Sequence, residues 1–151
     1  MSVLDAQAVV ALLLGEPAAE EVAALLTEPE KRASISAVNL AEVVDVLVRV
    51  IGRTFEDVAE KLDWLEAGGL DLAEVDAGIG RLAGRCHARY YHRRDSPLSM
   101  ADCVALATAL QLGQPLVTAD APLAAAAALE GCVVIALPDS LGRRPSAVVM
   151  S

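Results

Sequence analysis

Residues 98–120 read LSMADCVALATALQLGQPLVTAD, and this stretch decides the fold. A capping serine precedes an apolar helix predicted over Met100 to Leu112, and Gly113 follows as a stop signal. The short apolar run Leu116 to Thr118 comes next and ends just before Asp120. A hydrophobic helix followed by a short buried strand indicates an α/β fold, in which helices stack on a sheet.

The same two patterns recur on both sides of this stretch. Four more strands are predicted, over residues 3–5, 33–37, 70–75 and 133–135. Helices are predicted over residues 8–14, 18–27, 40–51, 54–67, 77–93 and 122–129, with Asn39 opening the third of them. Strands that alternate with helices imply right-handed crossovers and a mostly parallel sheet of about five strands, flanked by helices on both faces.

Length and composition predict one domain over residues 1–151, with a loosely packed tail after about residue 138. The chain has 151 residues and a mass of 15.7 kDa, and 55% of its residues are hydrophobic, which is enough for a sizeable core. No apolar stretch is long enough to span a bilayer, and no signal peptide is recognisable. We therefore expect a cytoplasmic protein with no membrane partner.

The charge distribution limits how nucleic acid could bind. A net charge of −9 argues against indiscriminate binding, which needs many Lys and Arg side chains. Basic residues are nevertheless concentrated between residues 81 and 94, where Arg85, Arg89 and Arg93 follow one another at intervals of four. In the predicted helix they share one face, which by default is a solvated surface and which could also contact RNA phosphates or, equally, an acidic partner. Tyr90 and Tyr91 could stack on a base, although core packing is the simpler interpretation.

Four carboxylates stand at the ends of apolar segments rather than on polar faces. Asp5 and Asp120 each follow a predicted strand, and Glu42 and Asp102 lie in the first turns of periodic helices. In an open parallel sheet, strand ends and the adjoining helix starts meet in one crevice. Such a concentration of carboxylate oxygens suits Mg²⁺ or Mn²⁺, and a divalent ion in a carboxylate site is suited to phosphoryl cleavage.

These four segments resemble the acidic motifs of PIN domains. They read Val3-Leu4-Asp5, Asn39-Leu40-Ala41-Glu42, Ser99-Met100-Ala101-Asp102 and Leu116-Val117-Thr118-Ala119-Asp120. Within that family, the length and residues 98–120 are most similar to the VapC toxins of toxin–antitoxin pairs. The resemblance implies a three-layer PIN-like domain and a Mg²⁺- or Mn²⁺-dependent endoribonuclease that is silenced by a cognate antitoxin. It also implies a homodimer.

The resemblance further assigns roles to individual residues. It implies that Asp5, Glu42, Asp102 and Asp120 are the catalytic metal ligands and that the Thr118 hydroxyl supports Asp120. Ser36 and Asn39 align with supporting polar groups. VapC toxins usually carry Thr or Ser after the first acid, whereas this chain has Ala6 and Gln7. We therefore expect Gln7 to supply the missing hydrogen bond.

Each motif also has a purely structural interpretation, and other functions compete. Asn39 with Glu42 and Ser99 with Asp102 have capping-box spacing, while Asp120 could simply cap a helix. A haloacid-dehalogenase-like phosphatase would need Asp-x-Asp after its first strand, and a response-regulator receiver would need an acidic pair there and a late Lys. The chain has neither. A PIN scaffold that acts only as a non-catalytic binding module is the remaining alternative.

Overall fold

A five-stranded parallel sheet forms the centre of the molecule. In the computed structural model, which describes residues 1–146, the strand order is β3-β2-β1-β4-β5 and every neighbouring pair is parallel. The strands are β1 Ser2–Leu4, β2 Ala33–Ser36, β3 Leu70–Ala73, β4 Leu116–Thr118 and β5 Val134–Ala136. The first strand of the chain therefore lies at the middle of the sheet.

Seven α-helices connect the strands. They are α1 Ala6–Leu14, α2 Ala19–Thr27, α3 Ala37–Asp45, α4 Phe55–Ala67, α5 Ala77–Tyr90, α6 Met100–Leu112 and α7 Ala121–Leu129. A π-helical turn, Val46–Val50, extends α3. Within residues 1–146, no helix combines the length and the apolar composition needed to cross a membrane.

The sheet divides the apolar interior into two cores. Leu4 and Ile35 face a core that is completed by Val9, Val22 and Val43 from α1, α2 and α3. Val3 and Leu116 face the opposite core, to which α5, α6 and α7 contribute apolar side chains. Because adjacent strand residues point to opposite faces, Val3 and Leu4 anchor both layers. The predicted three-layer α/β fold is confirmed.

Two of the helix boundaries that differ from the prediction involve predicted site residues. Ser36 rather than Asn39 caps α3, because the Ser36 hydroxyl oxygen accepts a hydrogen bond from the Asn39 backbone N–H at 3.1 Å. Helix α5 ends at Tyr90, so Arg93 lies beyond it, in a turn closed by two hydrogen bonds between His92 and Ser96. The prediction that Arg85, Arg89 and Arg93 share one helical face is therefore wrong for Arg93.

The described part of the segment after residue 138 is held by hydrogen bonds. Asp139 Oδ1 accepts hydrogen bonds from the backbone N–H groups of Leu141 and Arg143, each at 2.9 Å. The Arg144 guanidinium pairs with the Glu21 carboxylate on α2 and donates to the Ala136 carbonyl at 2.8 Å. Residues 147–151 lie outside the described part of the chain. The single-domain organisation stays a prediction from length and composition.

Candidate active site

The four predicted acids lie at the carboxyl end of the sheet. Asp5 directly follows β1, and Asp120 follows β4 beside it. Helix α6 packs against both β1 and α3, which brings Asp102 and Glu42 to the same end. Each acid is electrostatically coupled to at least one of the others, because the charges of Asp102 and Asp120 raise the pKa of Asp5, and the charge of Asp102 raises the pKa of Glu42.

Asp5 is the most buried of the four, with 2% of its surface exposed. Its Oδ1 accepts a hydrogen bond from the Ala8 backbone N–H at 2.9 Å, and its Oδ2 accepts one from the Thr118 hydroxyl at 2.5 Å. Burial raises the pKa of Asp5 to about 7, and the neighbouring carboxylates contribute in the same direction. The two hydrogen bonds oppose this rise without cancelling it.

Asp102 and Asp120 both take part in helix capping while keeping one carboxylate oxygen uncommitted. Asp102 Oδ2 accepts from the Ser99 backbone N–H at 3.0 Å and completes a capping box on α6. Asp120 Oδ1 accepts from the Leu123 backbone N–H at 2.8 Å at the start of α7. Among the hydrogen bonds within residues 1–146, neither Asp102 Oδ1 nor Asp120 Oδ2 takes part in one. Capping and metal binding are therefore compatible functions of these two side chains.

Glu42 is held near the site by a polar network one turn earlier in α3. The Ser36 hydroxyl donates to Asn39 Oδ1 at 2.5 Å, and Asn39 Nδ2 donates to the Ala101 carbonyl at 3.0 Å. These bonds tie the start of α3 to the residue before Asp102. Glu42 itself is half-buried, and burial together with the Asp102 charge raises its pKa. Its carboxylate accepts no hydrogen bond from the described residues.

Thr118 and Gln7 have different contacts from those expected. The Thr118 hydroxyl donates to Asp5 and accepts from the Asp120 backbone N–H at 3.0 Å, so it joins the ends of β1 and β4 rather than bonding the Asp120 carboxylate. Gln7 is exposed, and the hydrogen bonds to Asp5 come from Ala8 and Thr118. The expectation that Gln7 supplies a hydrogen bond to Asp5 is therefore not met, and the one side-chain hydroxyl that bonds Asp5 in the described residues comes from Thr118 in β4.

The donor set fits a hard divalent cation. Within residues 1–146, no three His, Cys, Asp or Glu side chains already stand close enough to hold one ion together. Carboxylate oxygens are the ligands that Mg²⁺ and Mn²⁺ prefer. Burial first, and the neighbouring carboxylates second, raise the pKa of Asp5, Glu42 and Asp102, and a bound cation would favour their charged forms.

The predicted basic surface is partly neutralised by an acid. Arg85 Nη2 lies 3.7 Å from Glu130 Oε2, and Arg89 Nη1 lies 3.4 Å from Glu130 Oε1. Tyr90 packs against the core, as the simpler interpretation had it, whereas Tyr91 is 47% exposed and stacks on the His87 ring. Two arginines on α5 thus share one carboxylate.

Two concave surfaces were not foreseen from the sequence. The first, the α1 groove, runs beside the acids and encloses about 270 Å³ between Gln7, Ala11 and Glu16 on one side and Ala119, Asp120 and Ser140 on the other. The second, the Trp64 groove, encloses about 290 Å³ and is lined by apolar residues of α1, α2 and α4 that include Leu12, Leu26, Trp64 and Leu65. Both depend on contacts between elements that are distant in sequence.

Comparison with known proteins identifies the family. A family model of the PIN domain matches residues 2–135, so the chain belongs to the PIN domain family. The predicted resemblance to PIN domains is thereby confirmed, and the phosphatase and receiver alternatives are set aside. A comparison with curated proteins found no match.

Solved structures with this fold include several toxins. VapC20 from Mycobacterium tuberculosis, described as a toxin that cleaves the sarcin–ricin loop, has a TM-score of 0.66 and 18% identity over 83% of this chain and 95% of its own. VapBC2 from Rickettsia felis bound to promoter DNA has a TM-score of 0.66 and 16% identity, covering 89% and 96%. FitAcB from Neisseria gonorrhoeae has a TM-score of 0.63 and 22% identity, also covering 89% and 96%. At these identities the likeness shows a shared fold.

Proposed function

We propose that this protein is a metal-dependent endoribonuclease and the toxin component of a type II toxin–antitoxin pair. One observation carries the proposal: acids from four separate segments of a PIN domain meet at the carboxyl end of the sheet. Three of them are oriented by hydrogen bonds from backbone N–H groups. A scaffold kept only for binding would not need this oriented cluster of mutually repelling charges, which disfavours the non-catalytic alternative.

In this proposal Asp5, Glu42, Asp102 and Asp120 hold Mg²⁺ or Mn²⁺. The ion supplies an activated water and charge stabilisation at the scissile phosphate. Thr118 fixes the Asp5 carboxylate by donating a hydrogen bond from its hydroxyl to Oδ2, and the Ala8 N–H donates one to the other oxygen. Ser36 and Asn39 hold α3 against α6 through the Ala101 carbonyl. The chain thus contributes positioned oxygen ligands rather than a protein nucleophile.

The direct test is cleavage of total bacterial RNA by the purified protein with Mg²⁺ or Mn²⁺, and again with excess chelator. We expect fragments with defined ends that require the metal and that are absent with Asp102→Asn. The asparagine keeps an oxygen acceptor for the Ser99 N–H, so the helix cap survives while the ligand charge is lost. Cleavage that is equal in the chelator, or equal in the variant, would contradict the proposal.

The Trp64 groove is the proposed docking site of the antitoxin. Trp64 is 72% exposed beside an apolar concavity, and exposed apolar surfaces of this kind mark protein interaction sites. An amphipathic helix would bury its apolar face there. The net charge of −9 favours a basic partner, whose following segment could reach the acids with a cationic side chain.

Trp64 is the only tryptophan in the chain, so its fluorescence reports on this groove directly. We expect the emission to shift to shorter wavelength when the co-expressed product of the neighbouring gene binds, and Trp64→Ala to weaken that binding. Thr27→Ala changes a residue of the same groove by only a few atoms and serves as the matched control. An unshifted emission in the complex would place the partner elsewhere.

A homodimer and a cytoplasmic location complete the proposal. The three cysteines, Cys86, Cys103 and Cys132, are buried and free, as is usual for proteins of reducing compartments. Sedimentation velocity tests the dimer, since a monomer at micromolar concentration would contradict it.

A further inference from the structure

The α1 groove opens directly from the acids and has the size of a small ligand site. Asp120 belongs both to the acidic cluster and to the groove wall. The volume of about 270 Å³ is near the lower limit of typical ligand pockets. It suits one planar group rather than an element of secondary structure.

The groove has an apolar floor and a polar far end. Ala8, Ala11 and Ala119 contribute small side chains that leave room for a flat ring. Helix α1 rises about 1.5 Å per residue, so its last residue, Leu14, lies about 10 Å beyond Gln7. Gly15 then adopts a left-handed conformation with φ of 66°, and the Glu16 backbone N–H bonds back to the Ala11 carbonyl. This turn returns Glu16 to the groove wall.

Glu16 is the uncommitted carboxylate at that far end. It is half-buried and forms no ion pair or side-chain hydrogen bond with the described residues. Asp139, which also lines the groove, already accepts from Leu141 and Arg143 through Oδ1. The groove therefore presents free acceptor oxygens from Glu16. Its negatively charged walls disfavour a phosphate other than the scissile one but accept a neutral base.

We propose that the α1 groove binds the base of one unpaired nucleotide next to the scissile phosphate and that Glu16 selects guanine. This inference rests on the proposed endoribonuclease function. Proteins read single-stranded RNA by holding splayed bases and bonding their Watson–Crick edges. Guanine is the one standard base whose edge offers two adjacent N–H donors, N1–H and the N2 amino group, to a carboxylate. Adenine, cytosine and uracil each place an acceptor beside the donor.

The test maps cleavage sites in total bacterial RNA with Mn²⁺ for the wild type, Glu16→Gln and Glu20→Gln. Glu20 is an exposed acid at the start of α2, outside the groove, and is the matched control. We expect guanine to be enriched at one position beside the cut for the wild type and Glu20→Gln. Glu16→Gln should lose that enrichment while remaining folded, since Glu16 is half-exposed.

A synthetic RNA that carries the preferred site tests the proposed hydrogen bonds from guanine to Glu16 one at a time. Replacing the selected guanine by inosine removes only the N2 amino group, and we expect cleavage by the wild type to slow about tenfold while Glu16→Gln cleaves both RNAs at one rate. Metal-dependent cleavage whose base preference is unchanged by Glu16→Gln would overturn this inference alone. Absence of metal-dependent cleavage by the wild type would overturn the proposed function, and this inference with it.

Discussion

Asp5 combines near-complete burial with a carboxylate that the proposed function requires to be ionised. Its raised pKa, about 7, shows that burial outweighs the hydrogen bonds from Thr118 and Ala8. A cation nearby would reverse this balance by favouring the charged form. The residue thus links protonation, metal binding and stability at one position.

The Asp5 pKa predicts how the metal-free protein responds to pH. Its folded-state pKa of about 7 exceeds the ordinary value of 3.8, so the folded state holds a proton that the unfolded state releases. The resulting stabilisation is complete below about pH 4 and is lost as the pH rises through about 7. In chelator, the wild type should melt at a lower temperature at about pH 8 than at about pH 5.

Asp5→Asn removes this titrating group and is the control for the pH dependence. Its melting temperature in chelator should fall less over the same interval, as measured by circular dichroism. Identical pH profiles for the two proteins would show that Asp5 is not protonated in the folded state.

The four acids make separate predictions for catalysis. Asp5→Asn, Glu42→Gln, Asp102→Asn and Asp120→Asn should each nearly abolish RNA cleavage, because each removes one ligand charge and conserves volume. Folding should survive in all four. Asp63→Asn, on the exposed side of α4, should cleave normally. Near-normal cleavage by any two of the site variants would rule out a shared metal site.

At the scale of the elements, two helix caps provide a matched comparison. Ser99 caps α6 and Thr54 caps α4, each accepting a backbone N–H three residues later. Ser99→Ala and Thr54→Ala should each lower the free energy of unfolding by about 1 kcal/mol. Only Ser99→Ala should reduce cleavage, by up to about tenfold, because it loosens the turn that orients Asp102. Equal cleavage by both variants would show that the Ser99 cap does not orient Asp102 for cleavage.

Helix α5 predicts how salt affects RNA binding. If Arg85 and Arg89 contact phosphates, changing both to Gln should reduce the slope of log affinity against log salt by about 1.4, or 0.7 for each lost contact. Glu130→Gln removes the carboxylate that pairs with both arginines and should therefore increase this slope. Filter binding with the inactive Asp102→Asn background measures both effects. An unchanged slope in all these variants would mean that this face contacts the antitoxin, forms the dimer interface or is simply solvated.

Local sequence patterns located the elements well and their ends less well. The start of α3 was misplaced because Ser36 is both the last residue of β2 and the cap of α3, which leaves no loop for the sequence to reveal. The end of α5 was misplaced because no Gly or Pro marks it. The chain turns instead through the backbone pairing of His92 with Ser96.

At the scale of the whole molecule, the meeting of the four acids was predictable and their contacts were not. The shared direction of parallel strands in an α/β sheet places Asp5 and Asp120 at the same, carboxyl end of the sheet. The bond from Thr118 to Asp5 and the pairing of Arg144 with Glu21 join segments that are distant in sequence. No local pattern records such contacts, and for the same reason both grooves were missed.

Metal binding should stabilise the whole fold. If the ion binds only the folded state, a concentration about 100 times its dissociation constant adds about 2.7 kcal/mol to the free energy of unfolding. The wild type should therefore melt at a higher temperature with Mn²⁺ than in chelator. The melting temperature of the double variant Asp5→Asn with Asp120→Asn should rise little with Mn²⁺. In chelator, it should be higher than that of the wild type. Equal metal shifts in both proteins would place the ions elsewhere on the acidic surface.

The position of β1 has a consequence for synthesis. The strand is made first but lies at the centre of the sheet, and the hydroxyl that holds Asp5 comes from a residue 113 positions later. Translation must therefore reach Thr118 before the hydroxyl that holds Asp5 is present. Under the proposed function, the nascent chain cannot assemble the four acids into one site until Asp120, at the end of β4, has been made.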